Sequence, residues 1–259
     1  MKQNHRTWFG KLAEQGKIGS HCLSLSAAAD YFAEGYAFSR YAGSEEKTAV
    51  LIHGWGVRAR SMDALAEMLH RAGYSVLNYD YPSSKKSIRQ HAEIFLSCYR
   101  REHLCGKIRF LTHSMGGLIL RCALAEMSDS ECRAIDSIVM LGPPNRGSLL
   151  ALIGKAEPVR SLNVSLGDMV PGSDALRIPV PRYLPPVGII AGTLDGKVPF
   201  DSTALPDGLP FRRTAVRCTH PGLRDPRNTG ILIQYFFQHK TFEVRGKQDC
   251  QLPSLTPHR

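Results

Sequence analysis

Phe110-Leu111-Thr112-His113-Ser114-Met115-Gly116-Gly117 is the stretch that decides how this chain is read. The apolar run Ile108-Arg109-Phe110-Leu111 stops at a serine, and a strongly apolar helical segment from Met115 to Met127 begins at once. A strand that turns this abruptly into a helix needs small residues beside the turn, and Gly116 and Gly117 supply them. Such a turn lifts the serine oxygen above the strand end and aims the positive N-terminus of the new helix at whatever the oxygen attacks. The Met115 N–H then faces the place where negative charge would develop. Thr112 stands where glycine is usual in the G-x-S-x-G pattern, a bulkier residue two positions before the serine.

Outward from this turn, strands alternate with helices. Thr48 to Ile52 is a continuous apolar run of the kind buried on both faces. A helix follows over about Ser61–Arg71, closed by Gly73, and then a strand over Tyr74–Tyr79 ended by Pro82. A long helix is expected from about Ser87 to His103, and a strand over Ile135–Leu141 is stopped by Gly142-Pro143-Pro144. The sheet resumes at Val187–Ala191, another strand is expected near Arg213–Cys218, and a last helix near Arg227–His239. This alternation with short connections predicts a mostly parallel sheet covered by helices on both faces. Function in such sheets gathers at the carboxyl ends of the strands.

Residues 145–186 break the rhythm with Gly, Pro and Ser, and a small cap at about 148–186 is expected there. Residues 1–46 read as an irregular or helical N-terminal extension, 47–245 as one α/β domain with its cap, and 246–259 as a polar tail.

The chain has 259 residues, 43% apolar and 22% charged, which suits one soluble globular core. Its net charge of +10 is dispersed into small clusters such as Arg58/Arg60, Lys85/Lys86/Arg89 and Arg212/Arg213/Arg217. Without a block of like charge, nucleic acid is not expected as a partner, while peripheral contact with an anionic membrane stays compatible. The seven cysteines contain no C-x-x-C, several lie in apolar runs, and no leader-like or membrane-spanning apolar segment stands out. A cytoplasmic location is the expectation. Neither a metal-ligand pattern nor a phosphate-cradling glycine loop occurs, so no cofactor and no metal are expected.

Leu51-Ile52-His53-Gly54-Trp55-Gly56, after the first clear strand, adds a loop whose backbone can approach a ligand closely. With the serine turn, it makes residues 47–242 resemble bacterial lipases and esterases of the α/β-hydrolase superfamily. Leu141-Gly142-Pro143-Pro144-Asn145-Arg146-Gly147-Ser148, Ala191–Pro199 and Thr219-His220-Pro221-Gly222 continue the likeness. The resemblance implies the α/β-hydrolase fold and a serine hydrolase acting on carboxylic esters, with Ser114 as nucleophile.

A serine needs a base. The superfamily's chain order of serine, acid and histidine implies His220 over His239 or His258. It places the acid at Asp195, with Asp201 in the same loop region as the serious competitor. The backbone N–H groups of Trp55 and Met115 are the implied oxyanion donors. His53 and His113 are expected to hold loops together, and Asp80 to pin one. Leu149, Leu150, Leu152 and Ile153 are candidate walls of an acyl pocket, and a small-molecule or lipid ester is the expected substrate. The alternatives are an acyltransferase using the same acyl-enzyme, or a hydrolase-fold module that binds without catalysis.

Overall fold

The structure is a computed structural model and describes residues 34–155 and 163–243. The chain divides into two units, Met1–Glu34 and Gly35–Arg259. The second unit carries the sheet and its helices.

Seven strands form one sheet: β1 (Ala37–Tyr41), β2 (Ser44–Ile52), β3 (Tyr74–Asp80), β4 (Lys107–His113), β5 (Ile135–Leu141), β6 (Val187–Gly192) and β7 (Arg212–Val216). Their spatial order is β1-β3-β2-β4-β5-β6-β7. All neighbours run parallel except β1, which pairs antiparallel with β3. The helices are α1 (Asp63–Arg71), α2 (Ile88–Arg101), α3 (Met115–Glu126), α4 (Asp129–Ala134), α5 (Val164–Asp168) and α6 (Pro226–His239).

Alternation along each central strand sends residues to two separate cores. Leu51, Leu111, Val139 and Ile190 pack with Met62, Leu65 and Leu69 at α1 and with Ile233, Phe236 and Phe237 of α6. Phe110 points the other way, 6.2 Å from the Phe95 ring and 5.7 Å from the Tyr99 ring of α2. Burying one such aromatic stabilises the fold by about 1.5–3 kcal/mol, so both faces of the sheet are firmly covered. Helix starts carry their own local signals. Ser87 and Gln90 form a reciprocal cap on α2, Ser128 and Glu131 do the same on α4, and Asp225 caps α6 ahead of Pro226.

The expectation of an irregular or helical extension through residue 46 is corrected for its described part. Residues 37–41 form an edge strand, and β2 begins at Ser44 with a register shift before Thr48. Residues 1–33 of that extension, and the tail from 244 onward, lie outside the described residues.

The excursion between β5 and β6 contains a 3-10 turn at Leu150–Lys155, helix α5 and a second 3-10 turn at Asp174–Leu176. It is tied back at several points. Asp168 accepts the Ile88 N–H at the start of α2 (2.8 Å), and the Ser165 hydroxyl donates to the Ser83 carbonyl (2.6 Å). Among the described residues, no helix is long and apolar enough to cross a membrane.

Candidate active site

Ser114 sits between the end of β4 and the first residue of α3, with φ 54° and ψ −126°. A positive φ costs a non-glycine residue energy, of the order of 1–3 kcal/mol, and persists only where the surroundings fix it. Here the Ser114 N–H donates to the Leu141 carbonyl (2.8 Å), and the Ser114 carbonyl accepts the Gly117 N–H (2.9 Å). Two glycines make room for the turn. A Cβ on Gly116 would lie 2.4 Å from the Ile52 carbonyl oxygen, and one on Gly54 would lie 2.8 Å from Ser114 Cβ. Thr112 fits because its hydroxyl faces Gly117, where a Cβ would stand only 3.3 Å away.

His220 follows β7 and is nearly buried. Its Nδ1 lies 2.6 Å from Asp195 Oδ2, and the Asp195 side chain is 1% exposed. Asp195 also accepts the N–H groups of Lys197 and Val198 on its other oxygen, each at 2.9 Å. Burial alone would raise its pKa. The bond and charge of His220 and the two backbone donors outweigh burial and hold it below the ordinary carboxylate value. Asp201, the competitor, is exposed in the 3-10 turn Phe200–Thr203 and makes no bond to the histidine. Among the described residues no hydrogen bond closes from Ser114 Oγ to His220; such bonds commonly tighten only with substrate in place.

His113, next to the serine, is buried and lies with Nε2 3.2 Å from the His220 carbonyl oxygen. Burial pushes its pKa well below the ordinary histidine value, and nearby His220 and Arg224 add to this. The ring is therefore neutral. A carbonyl can only accept, so Nε2 carries the proton and Nδ1 is bare. His53 plays a matching part in the other loop. Its Nδ1 donates to the Gly54 carbonyl (2.8 Å), its Nε2 accepts the Tyr81 N–H (3.3 Å), and its ring stacks on Tyr81 at 4.1 Å. In a trans peptide C=O and N–H point in opposite directions, so holding the Gly54 carbonyl fixes where the Trp55 N–H points. Neither the Trp55 nor the Met115 N–H has a hydrogen-bond partner among the described residues. Asp80 pins the same loop by accepting from Arg58 Nε and Nη2 (3.0 and 2.7 Å) and from the Ala59 N–H (2.9 Å). Burial opposes the ionisation of Asp80, but the Ala59 N–H and the bonds and charge of Arg58 hold it well below the ordinary carboxylate value.

The structure thus brings Ser114, His220, Asp195, Trp55 and Met115 to the carboxyl ends of β4, β7, β6, β2 and β4. Leu149 and Leu152 are about half exposed, not core, and Leu150 is intermediate. The side chain of Ile153 lies outside the described residues.

One linkage is not foreseen from the sequence. Arg121, buried on α3, donates to Asn145 Oδ1 (3.1 Å), and Asn145 donates to the Thr203 carbonyl (2.8 Å). This chain fastens the loop after β5 to the one after β6. An arginine inside the apolar run of α3 was its only visible signal. No three His, Cys, Asp or Glu side chains among the described residues converge to hold a metal ion.

No protein-family model and no curated protein matches the sequence. Solved structures do match. The mature form of a lipase from Bacillus licheniformis aligns over 77% of this chain and 98% of its own, at 16% identity and TM-score 0.64. A monoacylglycerol lipase from Paleococcus ferrophilus aligns over 79% and 99%, at 18% identity and TM-score 0.54. A putative non-heme bromoperoxidase from Mycobacterium tuberculosis aligns over 79% and 96%, at 16% identity and TM-score 0.56. The chain has the α/β-hydrolase fold, a mostly parallel seven-stranded sheet flanked by helices. At these identities the likeness speaks to the fold, and the chemistry has to be argued from the site.

Proposed function

We propose that this protein is a serine hydrolase that cleaves carboxylic esters through Ser114, His220 and Asp195. The observation that carries the reading is the 2.6 Å bond from His220 Nδ1 to a buried Asp195, in a chain whose Ser114 is held at positive φ at a strand–helix turn. The fold's solved relatives include proteins described as lipases and esterases, which agrees with ester chemistry.

The steps follow from the residues. Ser114 Oγ attacks the ester carbonyl carbon while His220 Nε2 takes its proton. Asp195 accepts the Nδ1 proton, keeps the imidazole in that tautomer and stabilises the imidazolium. The carbonyl oxygen becomes an oxyanion and accepts from the Trp55 and Met115 N–H groups, neither of which has another acceptor among the described residues. His220 then gives its proton to the departing alkoxide, leaving an acyl-Ser114. Water then attacks the acyl carbon, passing a proton to His220, which returns it to Ser114 Oγ as the acyl–oxygen bond breaks and the carboxylic acid leaves.

The test is hydrolysis of p-nitrophenyl esters of two to twelve acyl carbons by the full chain and by Ser114→Ala. Turnover is expected in the parent and should fall by at least 10³-fold in the variant. Equal rates in both proteins would overturn the assignment.

A further inference from the structure

The ends of β2 and β3 carry a cleft that the ester chemistry leaves unused. Its volume is about 730 Å³, and Gly56, Arg58, Arg60, Ser61, Ser83 and Lys85 are among the residues that line it. The charges there do not cancel. Arg58 and Asp80 neutralise one another through their paired hydrogen bonds. Arg60 and Lys85 are exposed and have no ion-pair partner among the described residues. Two unpaired cations thus line one cavity, a setting that suits a phosphate or a carboxylate. The chain's net charge of +10 favours the approach of anions.

The cleft is close to the nucleophile. Gly54 abuts Ser114, since a Cβ on it would lie 2.8 Å from Ser114 Cβ. Gly56 is two residues further on, so its Cα is at most about 7.6 Å from that of Gly54. On the other side of Ser114, the loops after β5 and β6 present Leu149, Leu152 and Leu194, each about half exposed. In the strand order β3-β2-β4-β5-β6, Ser114 at the end of β4 stands midway between the basic end and the apolar end. Four strand spacings make that span about 19 Å, the length of an extended amphiphile.

We propose that the cleft of Arg60 and Lys85 binds an anionic group on the alcohol part of the ester, and that the substrates are amphiphiles whose acyl chain lies toward Leu149, Leu152 and Leu194. This rests on the ester-hydrolase reading and specifies its substrate class.

The test compares two soluble esters with the same acyl chain, 1-octanoyl-glycerol and 1-octanoyl-glycerol 3-phosphate. The quantity is the ratio of their kcat/KM values in the full chain, in Arg60→Ala/Lys85→Ala and in the conservative Arg60→Lys/Lys85→Arg, with thermal unfolding to verify each fold. The expected result is at least a tenfold preference for the phosphate ester, which shrinks as salt rises. The alanine pair abolishes it and the conservative pair keeps it. A ratio that is flat, or equal in all three proteins, overturns the proposal while leaving ester hydrolysis standing. So does loss of binding to phosphatidylglycerol vesicles in the alanine pair with no change in the soluble-ester ratio, because the cleft would then serve a membrane surface. If Ser114 proves unreactive and neither ester is turned over, the ester reading itself falls and takes the substrate assignment with it. Octyl phosphate binding to Ser114→Ala, with and without the alanine pair, then decides whether the anion site exists: weakening of at least tenfold supports it, and equal binding overturns it.

Discussion

His113 Nε2 stands 3.2 Å from the carbonyl oxygen of His220, so the residue before Ser114 holds the backbone of the proposed base. Ser114 and His220 follow strands β4 and β7, which are not neighbours in the sheet. This one bond joins the two loops. A neutral His113 with its proton on Nε2 is what the contact requires, and burial keeps the ring neutral.

Replacing His113 by Leu removes that donor and leaves the His220 carbonyl without it in a buried setting, a cost of about 1–3 kcal/mol. The expected result is a lower Tm and a kcat reduced by about 10- to 100-fold, with KM little changed. A kcat within twofold of the parent would show that the contact does not position the base.

Asp195 and Asp201 are distinguished by the same kind of measurement. Asp195→Asn keeps the shape but loses the charge and the tautomer control, and kcat should drop by about 10³- to 10⁴-fold. Asp201→Asn touches an exposed carboxylate and should stay within about twofold. Steady-state kinetics on the two variants reads this directly, and the reverse pattern would move the acid to Asp201.

Gly54→Ala places a methyl group 2.8 Å from Ser114 Cβ and 2.9 Å from His113 Nδ1. The loop after β2 must shift to accept it, carrying with it the Trp55 N–H, the proposed oxyanion donor. Loss of one such donor typically costs about 10²–10³ in turnover. The expected variant is folded by circular dichroism and slow by at least 10²-fold. Full activity would place the second donor elsewhere.

His91, fully buried against Tyr36 and Tyr81, gives a pH signature. Burial, with help from Lys86 and His53, lowers its pKa from 6.5 to about 4. Between those values the unfolded chain takes up a proton that the folded chain refuses, so stability falls as pH drops from about 6.5 toward 4. One such group contributes at most about 1.4 kcal/mol per pH unit. Chemical unfolding of the parent and of His91→Phe across this range should show a shallower pH slope in the variant. Identical slopes would mean that His91 titrates normally.

The strands from Thr48 to Gly192 were legible because they are largely buried on both faces and carry apolar runs, whereas β7, Arg-Arg-Thr-Ala-Val, has no buried residue and was placed from its position before the last helix. Ser114 was legible because a strand–serine–helix junction with two following glycines is a local pattern. Edge strand β1 was not. Its sequence, Ala-Phe-Ser-Arg-Tyr, puts Phe38 toward Tyr79 at 5.0 Å while Ser39 and Arg40 stay exposed, and five such residues make no apolar run. Helix α4 carried a readable signal, Ser128 followed by Glu131, that a search for longer periodic segments passes over. The attachments of the excursion between β5 and β6 could not be read at all. Asp168 caps a helix that begins 80 residues earlier, and Arg121 reaches Asn145 across 24 residues, so only the folded chain brings these partners together. Thr112 looked too bulky for its turn because its relief comes from Gly117, on the helix that follows.

The central claim, an activated Ser114, is tested most directly by a fluorescent fluorophosphonate followed by peptide mapping of the labelled protein. An activated serine predicts covalent label on Ser114, none on Ser114→Ala, and labelling slowed by at least 10²-fold in His220→Ala. Folded protein that takes up no label, or takes it up elsewhere, would contradict it.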